Sequence, residues 1–405
     1  MRFVVKEYEV SLVGKHSERT IAIGIEDEFG MVFPSPLTNF IKSEYYTEGK
    51  SLSSQKNVAY AITRFFNYVY KNISMPFYTS LKVKGLKGIK LEHAAAYITE
   101  LSLQTRAKIK SSDYVKTDLD YINSFFHWLK KQAIPEEDYT IKTRESKHSK
   151  YNKSKKLVLE DIFSINDIDM VYPTDNSINR GQIKTFGKNR DKLISKFINI
   201  ARETDSEIAL GVALQILGGL RRSEVINLMD SSFNWTNKGL ILEIRDNQKL
   251  LFPDALNTSD NQVKTQRDQV VLCPSLIKKL YEEHKKVTSK IKGANTPALF
   301  ISSGTKGSIT GKTYSRRFEK VKDAFLESVL KSGNQQDYLL LTSNTWSTHI
   351  GRGIFTNILL DLGLSATQVA LARGDRNINS ALHYVDEHTM LSTVQDAINN
   401  FRILL

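Results

Sequence analysis

Arg221 lies where a basic side chain could hold a phosphate. It follows an apolar segment, Ile208 to Leu220, whose end carries the paired glycines Gly218 and Gly219. Because glycines end or bend a helix, Arg221 would stand on fixed backbone while its planar guanidinium binds two phosphate oxygens. A surface ion pair between Arg221 and Glu224, three residues on, explains this segment equally well when it is taken alone.

A histidine and a second arginine form another candidate pair farther along the chain. His349 and Arg352 are three residues apart in a predicted helix, so their Cβ atoms would lie about 5–6 Å apart on one side of it. Both could then address one phosphate. Tyr384 follows in a C-terminal segment of helical character. Taken singly, it reads as a tyrosine at the edge of a core, with its ring buried and its hydroxyl in water.

The order of these elements is more informative than any one of them. The motif Gly-Leu-Arg-x-Ser-Glu at Arg221, a lysine in a predicted hairpin, His-x-x-Arg at His349 and a later tyrosine resemble the tyrosine recombinase (phage integrase) family, of mobile-element type. The resemblance covers about residues 157–405. A weaker match at 51–135 resembles the core-binding domain of that family.

The resemblance implies a role for each residue. Arg221 and Arg352 would hold the scissile DNA phosphate, and Tyr384 would be the nucleophile. Lys264 occupies the position of the β-hairpin lysine, which would act as the general acid. His349 could carry the proton of the tyrosine, because its ordinary pKa lies near 6.5.

The chemistry of these residue types agrees with that reaction. A tyrosine with a pKa of about 10 is a poor nucleophile at neutral pH, and permanently charged arginines stabilise its ionised form. Two guanidiniums can also hold the non-bridging oxygens of an attacked phosphodiester. We therefore expect no metal and no other cofactor. Because a phosphotyrosyl link retains the energy of the broken bond, rejoining would need no ATP.

Asp375 departs from the family pattern. The resemblance places His or Trp at this position, whereas an ionised carboxylate cannot donate a hydrogen bond to a phosphate and repels it. Three alternatives follow. Asp375 orients Arg221, Arg352 or His349; a neighbouring Arg373 or Arg376 contacts the phosphate instead; or the residue is purely structural.

The spacing of apolar residues predicts a mainly α protein. Residues 1–50 read as a β-rich segment of unassigned role, and 51–140 as a helical domain whose helices begin after Ser51 and Ser111 and at Leu91. The resemblance implies that this helical domain is the core-binding (SAM-like) DNA-binding domain. Residues 157–405 would form a mostly helical catalytic domain. Within it, Leu240–Ile244 and 269–272 predict a small antiparallel sheet.

A basic segment at residues 141–156 separates the two predicted domains. Its composition cannot bury a core, so it is either a solvated spacer or a linker that follows DNA phosphates. The candidate DNA-binding residues in it are Lys150, Lys153, Lys155 and Lys156. The resemblance implies that the two domains close around a duplex as a clamp.

Charge and composition narrow the class of partner. The chain has 405 residues, 57 Lys plus Arg against 44 Asp plus Glu, and a net charge of +13, which favours a polyanion such as double-stranded DNA. The single cysteine, Cys273, cannot form an intramolecular disulfide and reads as a small buried hydrophobe. The sequence shows neither a membrane span nor a secretory signal. We expect a cytoplasmic, nucleoid-associated protein.

The predicted function is site-specific recombination, with integration or excision of a mobile element through a 3′-phosphotyrosyl intermediate. Two alternatives remain: a type IB topoisomerase, and an inactive DNA-binding protein of the same fold. An apolar stripe from Val394 to Leu405 either packs on its own domain or, as the resemblance implies, docks on a neighbouring protomer. That docking would give a homotetramer on DNA, two protomers per site, with a host DNA-bending protein as a further partner.

Overall fold

The computed structural model describes most of the chain in two compact units. The described residues are 2–11, 17–47, 51–145, 157–174, 183–237, 239–253, 261–291 and 293–375. The contacts of the backbone divide the chain into Met1–Asn179 and Arg180–Leu405. Each unit has its own large hydrophobic core.

The first unit begins with a three-stranded antiparallel sheet. Its strands lie in the order β1 (Arg2–Ser11), β2 (Ser17–Glu26) and β3 (Val32–Pro34). A short helix α1 (Thr38–Ile41) follows and continues as a π-helical turn over Lys42–Tyr46.

Five α-helices and a small β-ribbon complete the described part of the first unit. They are α2 (Leu52–Lys71), α3 (Thr79–Lys84), α4 (Leu91–Arg106), α5 (Ser112–Lys131), the antiparallel pair β4 (Thr143–Glu145) and β5 (Leu157–Leu159), and α6 (Ile162–Ile165). Ser51 and Ser111 cap α2 and α5 by accepting backbone amides. The predicted helix starts are therefore confirmed.

The core of the first unit joins the N-terminal sheet to the helices. Phe3 and Ile23 of the sheet lie in one buried cluster with Phe65 and Phe126, and Phe163 of α6 belongs to it too. The β-rich segment is thus packed on the helical region. α6, with its buried Phe163, belongs to the first unit, which extends to Asn179, whereas the sequence predicts that the second domain begins at residue 157.

The second unit contains a small sheet among helices. Its elements are α7 (Arg190–Thr204), α8 (Ala209–Leu217), α9 (Arg222–Ile226), β6 (Phe233–Thr236), β7 (Gly239–Ile244), α10 (Gln248–Leu251), β8 (Arg267–Val271), α11 (Pro274–Thr288), α12 (Gly311–Lys331), α13 (Gln335–Ser343), α14 (Ile350–Asp361) and α15 (Ala366–Ala372).

The sheet of the second unit matches its prediction. β7 pairs antiparallel with β6 and with β8, where Ile241 lies opposite Val270. Leu240, Leu242 and Ile244 alternate into the core, as period-two patterning requires. A mainly helical fold with small antiparallel sheets is confirmed.

Helix α8 lies at the centre of the second unit, and every residue of it is buried. Its one polar side chain, Gln215, is satisfied by accepting from the hydroxyl of Tyr314 at 2.9 Å and donating to the carbonyl of Thr348 at 3.3 Å. Gly351 of α14 packs against this point, and a Cβ there would lie 2.8 Å from Gln215 backbone. The hydrogen bond to Thr348 and the close approach at Gly351 hold the backbone on both sides of His349.

The prediction that Cys273 is buried is wrong. The strand β8 ends at Val271, and Cys273 takes a left-handed conformation (φ 50°) at the start of α11. This turn carries the side chain to the surface, where it is exposed.

Within the described ranges, none of the helices combines the length and the apolar character that a membrane span requires.

Candidate active site

Arg221 follows a tight turn at the end of α8. Gly218 caps the helix, and Gly219 has a φ of 64°, a conformation that L side chains rarely adopt. A Cβ on Gly219 would lie 2.5 Å from the ring of Phe355, so the turn also depends on the missing side chain. The chain then extends through Arg221, which is the residue before α9.

Glu224 holds Arg221 in place. Its carboxylate accepts from the backbone amide of Arg221 at 2.8 Å and from Nη1 of the same residue at 2.8 Å. Arg267 of β8 donates to both oxygens, at 2.7 and 3.0 Å. The side chain of Glu224 is 0% exposed. Burial alone would raise the pKa of Glu224, but the hydrogen bonds and charge of Arg267, with the charges of Arg221 and Arg352, lower it to about 2.

Arg352 lies in the first turn of α14 with a side chain that is 1% exposed. Its Nη1 donates to the carbonyl of Gly219 at 2.6 Å, and its Nη2 donates to the carbonyl of Arg373 at 3.0 Å. Burial and the neighbouring charges of Arg221 and Arg373 lower the pKa of Arg352 to about 10. The guanidinium remains charged at neutral pH and is fixed by the backbone of two separate turns.

Asp375 joins the two arginines. Its Oδ1 accepts from Nη2 of Arg221 at 2.9 Å and from Nη2 of Arg352 at 2.5 Å. The Nη2 of Arg373 lies 3.1 Å from Oδ2, and the Asp375 side chain is 2% exposed. The carboxylate thus contacts both predicted phosphate-binding arginines. Arg373 is itself buried and donates to Thr356, so its guanidinium does not lie at the surface.

His349 stands at the edge of this cluster, immediately before α14, with an exposed side chain. Partial withdrawal from water by the surrounding protein lowers its pKa. The positive charges of Arg221, Arg222, Arg352 and Lys264 lower it further. The imidazole is therefore neutral at pH 7 and able to accept a proton.

Lys264 lies in the segment that leads into β8, and its side chain is exposed. The residues before it anchor this segment: Asn261 is buried and accepts from the amide of Gly311 at 2.9 Å, and Val263 is buried in the core. The ammonium is close enough to act on His349 electrostatically. The structure thus places three predicted site cations, Arg221, Lys264 and Arg352, within electrostatic range of His349.

Several predicted residues lie outside the described ranges. They are the nucleophile Tyr384, the alternative phosphate contact Arg376, the linker residues Lys150, Lys153, Lys155 and Lys156, and the apolar stripe from Val394 to Leu405.

The role of Arg267 and the burial of Glu224 were not predicted from the sequence. The interpretation of Glu224 as a surface partner of Arg221 identified the pair but not its burial. Arg267 shows no local signal of this role, because it begins a strand whose next two residues, Asp268 and Gln269, are also polar. Its register opposite Ile244, whose side chain is buried, could be known only from the folded sheet.

The arrangement is suited to binding an anion. Two guanidiniums direct their Nη2 atoms at a single carboxylate oxygen, and a neutral imidazole and an ammonium lie beside them. A tetrahedral phosphate presents oxygens of the same charge to arginines.

Comparison with solved structures identifies the fold. The integrase of transposon Tn1549, solved in complex with circular intermediate DNA, has a TM-score of 0.53 at 14% identity, covering 88% of this chain and 98% of that chain. The XerH site-specific recombinase in a pre-cleavage complex with difH substrate has a TM-score of 0.53 at 14% identity, covering 84% and 79%. No protein-family model matches the sequence, and a search of curated proteins finds no match. The chain has the tyrosine recombinase fold.

Proposed function

We propose that the protein is a site-specific DNA recombinase, or integrase, of a mobile element. One observation carries the proposal: Arg221 and Arg352, distant in sequence, aim their guanidiniums at one anionic oxygen within a tyrosine recombinase fold. The neutral His349 and the cationic Lys264 beside them are the acid–base groups that phosphoryl transfer from DNA requires.

The first step is attack by the hydroxyl of Tyr384 on the scissile phosphorus. A bond from phosphorus to the tyrosine oxygen forms, and the bond to the 5′ oxygen of the next nucleotide breaks. His349 accepts the phenolic proton, and Lys264 donates a proton to the departing 5′ oxygen. Arg221 and Arg352 stabilise the charge that develops on the non-bridging oxygens.

The second step reverses the first with a different strand. The 5′ hydroxyl of the partner strand attacks the 3′-phosphotyrosyl phosphorus and gives its proton to Lys264. The bond from phosphorus to the tyrosine oxygen breaks, and Tyr384 leaves with the proton that His349 returns. The number of phosphodiester bonds is unchanged, so no nucleotide hydrolysis is needed.

The proposed assembly is a homotetramer that joins two DNA sites, with the stripe from Val394 to Leu405 seated on the neighbouring protomer. The apolar spacing of that stripe supports the docking. Two DNA-bound neighbours support DNA as the partner, since the Tn1549 integrase and XerH are both solved with it.

A nicked suicide substrate tests the proposed function. A short strand beyond the cleavage site diffuses away after cutting, so the enzyme should remain linked to DNA and migrate as a covalent adduct in denaturing gels. Absence of the adduct on the mapped target site favours the inactive DNA-binding alternative. Where the adduct forms, product topology separates exchange between two sites from relaxation of supercoils, which a topoisomerase would give. Lys264→Ala serves as a folded, cleavage-impaired control, because its side chain is exposed.

A further inference from the structure

We propose that Asp375 is an internal substitute for the scissile phosphate: its carboxylate occupies the anion position between Arg221 and Arg352 in the DNA-free protein and rotates away when a phosphate enters. The inference deepens the proposed function and rests on it for the identity of the natural anion. It assigns Asp375 as a positioning residue that keeps the arginines assembled between rounds of reaction.

The hydrogen bonds of the Arg352 guanidinium show that Asp375 occupies the place where a phosphate would bind. Both hydrogens of its Nη2 are engaged, one by the carbonyl of Arg373 and one by Asp375. Its Nη1 donates to Gly219, and its Nε has no hydrogen-bond partner among the described residues. With the side chain 1% exposed, a phosphate can form a forked contact with Arg352 only where Asp375 now binds.

Arg221 binds the same oxygen of Asp375 that Arg352 binds. Its Nη1 is held by Glu224, while its Nη2 donates to the Asp375 oxygen that Arg352 also binds. Glu224 is locked by Arg267 and by the Arg221 amide, so it remains in place when an anion arrives. Asp375 is the exchangeable member, because its contacts in the described structure are to guanidinium groups and one side-chain rotation would break them.

The backbone at Asp375 allows a rotation without unfolding. The Asp375 amide donates to the carbonyl of Ala370 at 2.9 Å, and Gly374 before it has a φ of 65°. This is the pattern that closes the end of a helix, here α15, and it fixes the Cα of Asp375. A turn about the Cα–Cβ bond is then enough to move the carboxylate away from the arginines.

The positive charge of the arginine cluster explains why a negative group is needed there when DNA is absent. Arg221, Arg352 and Arg373 converge within one partly buried cluster, and buried guanidiniums without a counter-ion are strongly unfavourable. Asp375 provides a negative charge when DNA is absent, and the phosphate provides it when DNA is bound. The exchange keeps the cluster compensated in both states.

Thermal unfolding of full-length Asp375→Asn with inorganic phosphate tests the inference. Asparagine keeps the size of the side chain and removes its charge. We expect its unfolding midpoint to fall below wild type in phosphate-free buffer, and to rise with phosphate toward the wild-type value. Titration should give an apparent phosphate affinity at least tenfold tighter than wild type. Sodium chloride at equal ionic strength should not reproduce the rise.

Asp205→Asn is the matched control. Asp205 is a mostly buried carboxylate in the same unit that pairs with Arg317 at 2.8 Å, and Arg317 keeps Glu207 as a second partner. The unfolding midpoint of Asp205→Asn should fall below that of wild type, and phosphate should raise it no more than sodium chloride of equal ionic strength does. Asp375→Ser provides a second neutral variant in which the same recovery is expected.

Three outcomes overturn the inference. In the first, phosphate stabilises Asp375→Asn no more than it stabilises wild type. In the second, phosphate binds Asp375→Asn more weakly than it binds wild type. Either result would show that Asp375 stays in place and orients the arginines while phosphate is bound. Both neutral variants could also stay unfolded at every phosphate concentration up to about 100-fold above the wild-type dissociation constant. Phosphate binding does not require Tyr384, so tight binding without DNA cleavage would leave the inference intact and contradict the proposed function alone.

Discussion

Glu224 binds Arg221 twice, through the backbone amide and through the guanidinium, at 2.8 Å in each case. One carboxylate therefore fixes both the start of α9 and the direction of a predicted phosphate-binding side chain. The contact to the amide is one half of a capping box, in which the side chain of the third helical residue accepts from the amide before the helix. Local helix geometry and the candidate site are coupled at this residue.

Replacing Glu224 with Gln should destabilise the protein by about 3–5 kcal/mol at pH 7, because it removes the buried carboxylate that pairs with the guanidinium of Arg267. The pKa of Glu224 is lowered from 4.5 to about 2, so its stabilisation is complete above pH 4.5 and disappears as the pH falls toward 2. Denaturant unfolding of wild type should show this decline, and Glu224→Gln should show a shallower acid dependence.

Glu207→Gln is the control for that experiment. Glu207 pairs with Arg317 at 2.8 Å, and Arg317 retains Asp205 in the variant. Its destabilisation should be smaller than that of Glu224→Gln, because Arg317 keeps the carboxylate of Asp205 as a counter-ion. Equal destabilisation in the two variants would show that Glu224 has no special position in the cluster.

Gly219→Ala should destabilise the turn before Arg221 and reduce DNA cleavage. The new Cβ meets the ring of Phe355 at 2.5 Å, and the φ of 64° adds strain. The strain contributes about 1–2 kcal/mol and the overpacking about 1–3 kcal/mol more. Gly333→Ala isolates the first contribution, since Gly333 has a φ of 74° with no atom within 4 Å of the added Cβ. Similar unfolding free energies for both variants would contradict the close contact.

Lys264→Ala should slow DNA cleavage, by roughly 10²–10⁴-fold for loss of a general acid. A substrate with sulfur in place of the bridging 5′ oxygen tests the role, because a thiolate leaves without a proton, its conjugate acid having a pKa of about 8.5. The defect should largely disappear on that substrate in single-turnover cleavage. A defect of the same size on both substrates would assign Lys264 to DNA binding instead.

Neutralising Lys150, Lys153, Lys155 and Lys156 together should reduce the dependence of DNA affinity on salt. Each lysine that binds a DNA phosphate contributes roughly 0.9 to the slope of log affinity against log salt, so its neutralisation flattens the slope by that amount. Binding titrations between about 50 and 200 mM salt measure this slope, and the change in slope gives the number of DNA phosphates that the lysines bind. An unchanged slope would show that these lysines do not bind DNA phosphates.

The elements of the fold followed from local signals in the sequence. Ser51 and Ser111 mark helix starts because their hydroxyls accept free amides, and the alternation at Leu240–Ile244 marks a half-buried strand. Gly218 and Gly219 predict the end or a bend of a helix, because glycine adopts backbone conformations that other residues avoid. The surface position of Cys273 was not predictable, because it depends on a left-handed residue beyond the end of a strand.

The sequence predicts the members of the candidate site but not the hydrogen bonds that connect them. Arg221, Lys264, His349 and Arg352 were identified by type and order along the chain. That Asp375 bridges two arginines, and that Arg267 reaches Glu224 across the sheet, depends on pairs of residues 154 and 43 positions apart. No local pattern encodes such distances, since they are set by the packing of α8, α14 and β8.

The central claim is that one phenol attacks a phosphate held by Arg221 and Arg352. The most direct measurement is to digest the covalent adduct formed on a nicked substrate and to identify the DNA-bearing residue by mass spectrometry, with Tyr384→Phe in parallel. The account predicts the nucleotide on Tyr384 and no adduct from the variant. A nucleotide on any other residue, or an undiminished adduct from Tyr384→Phe, would contradict it.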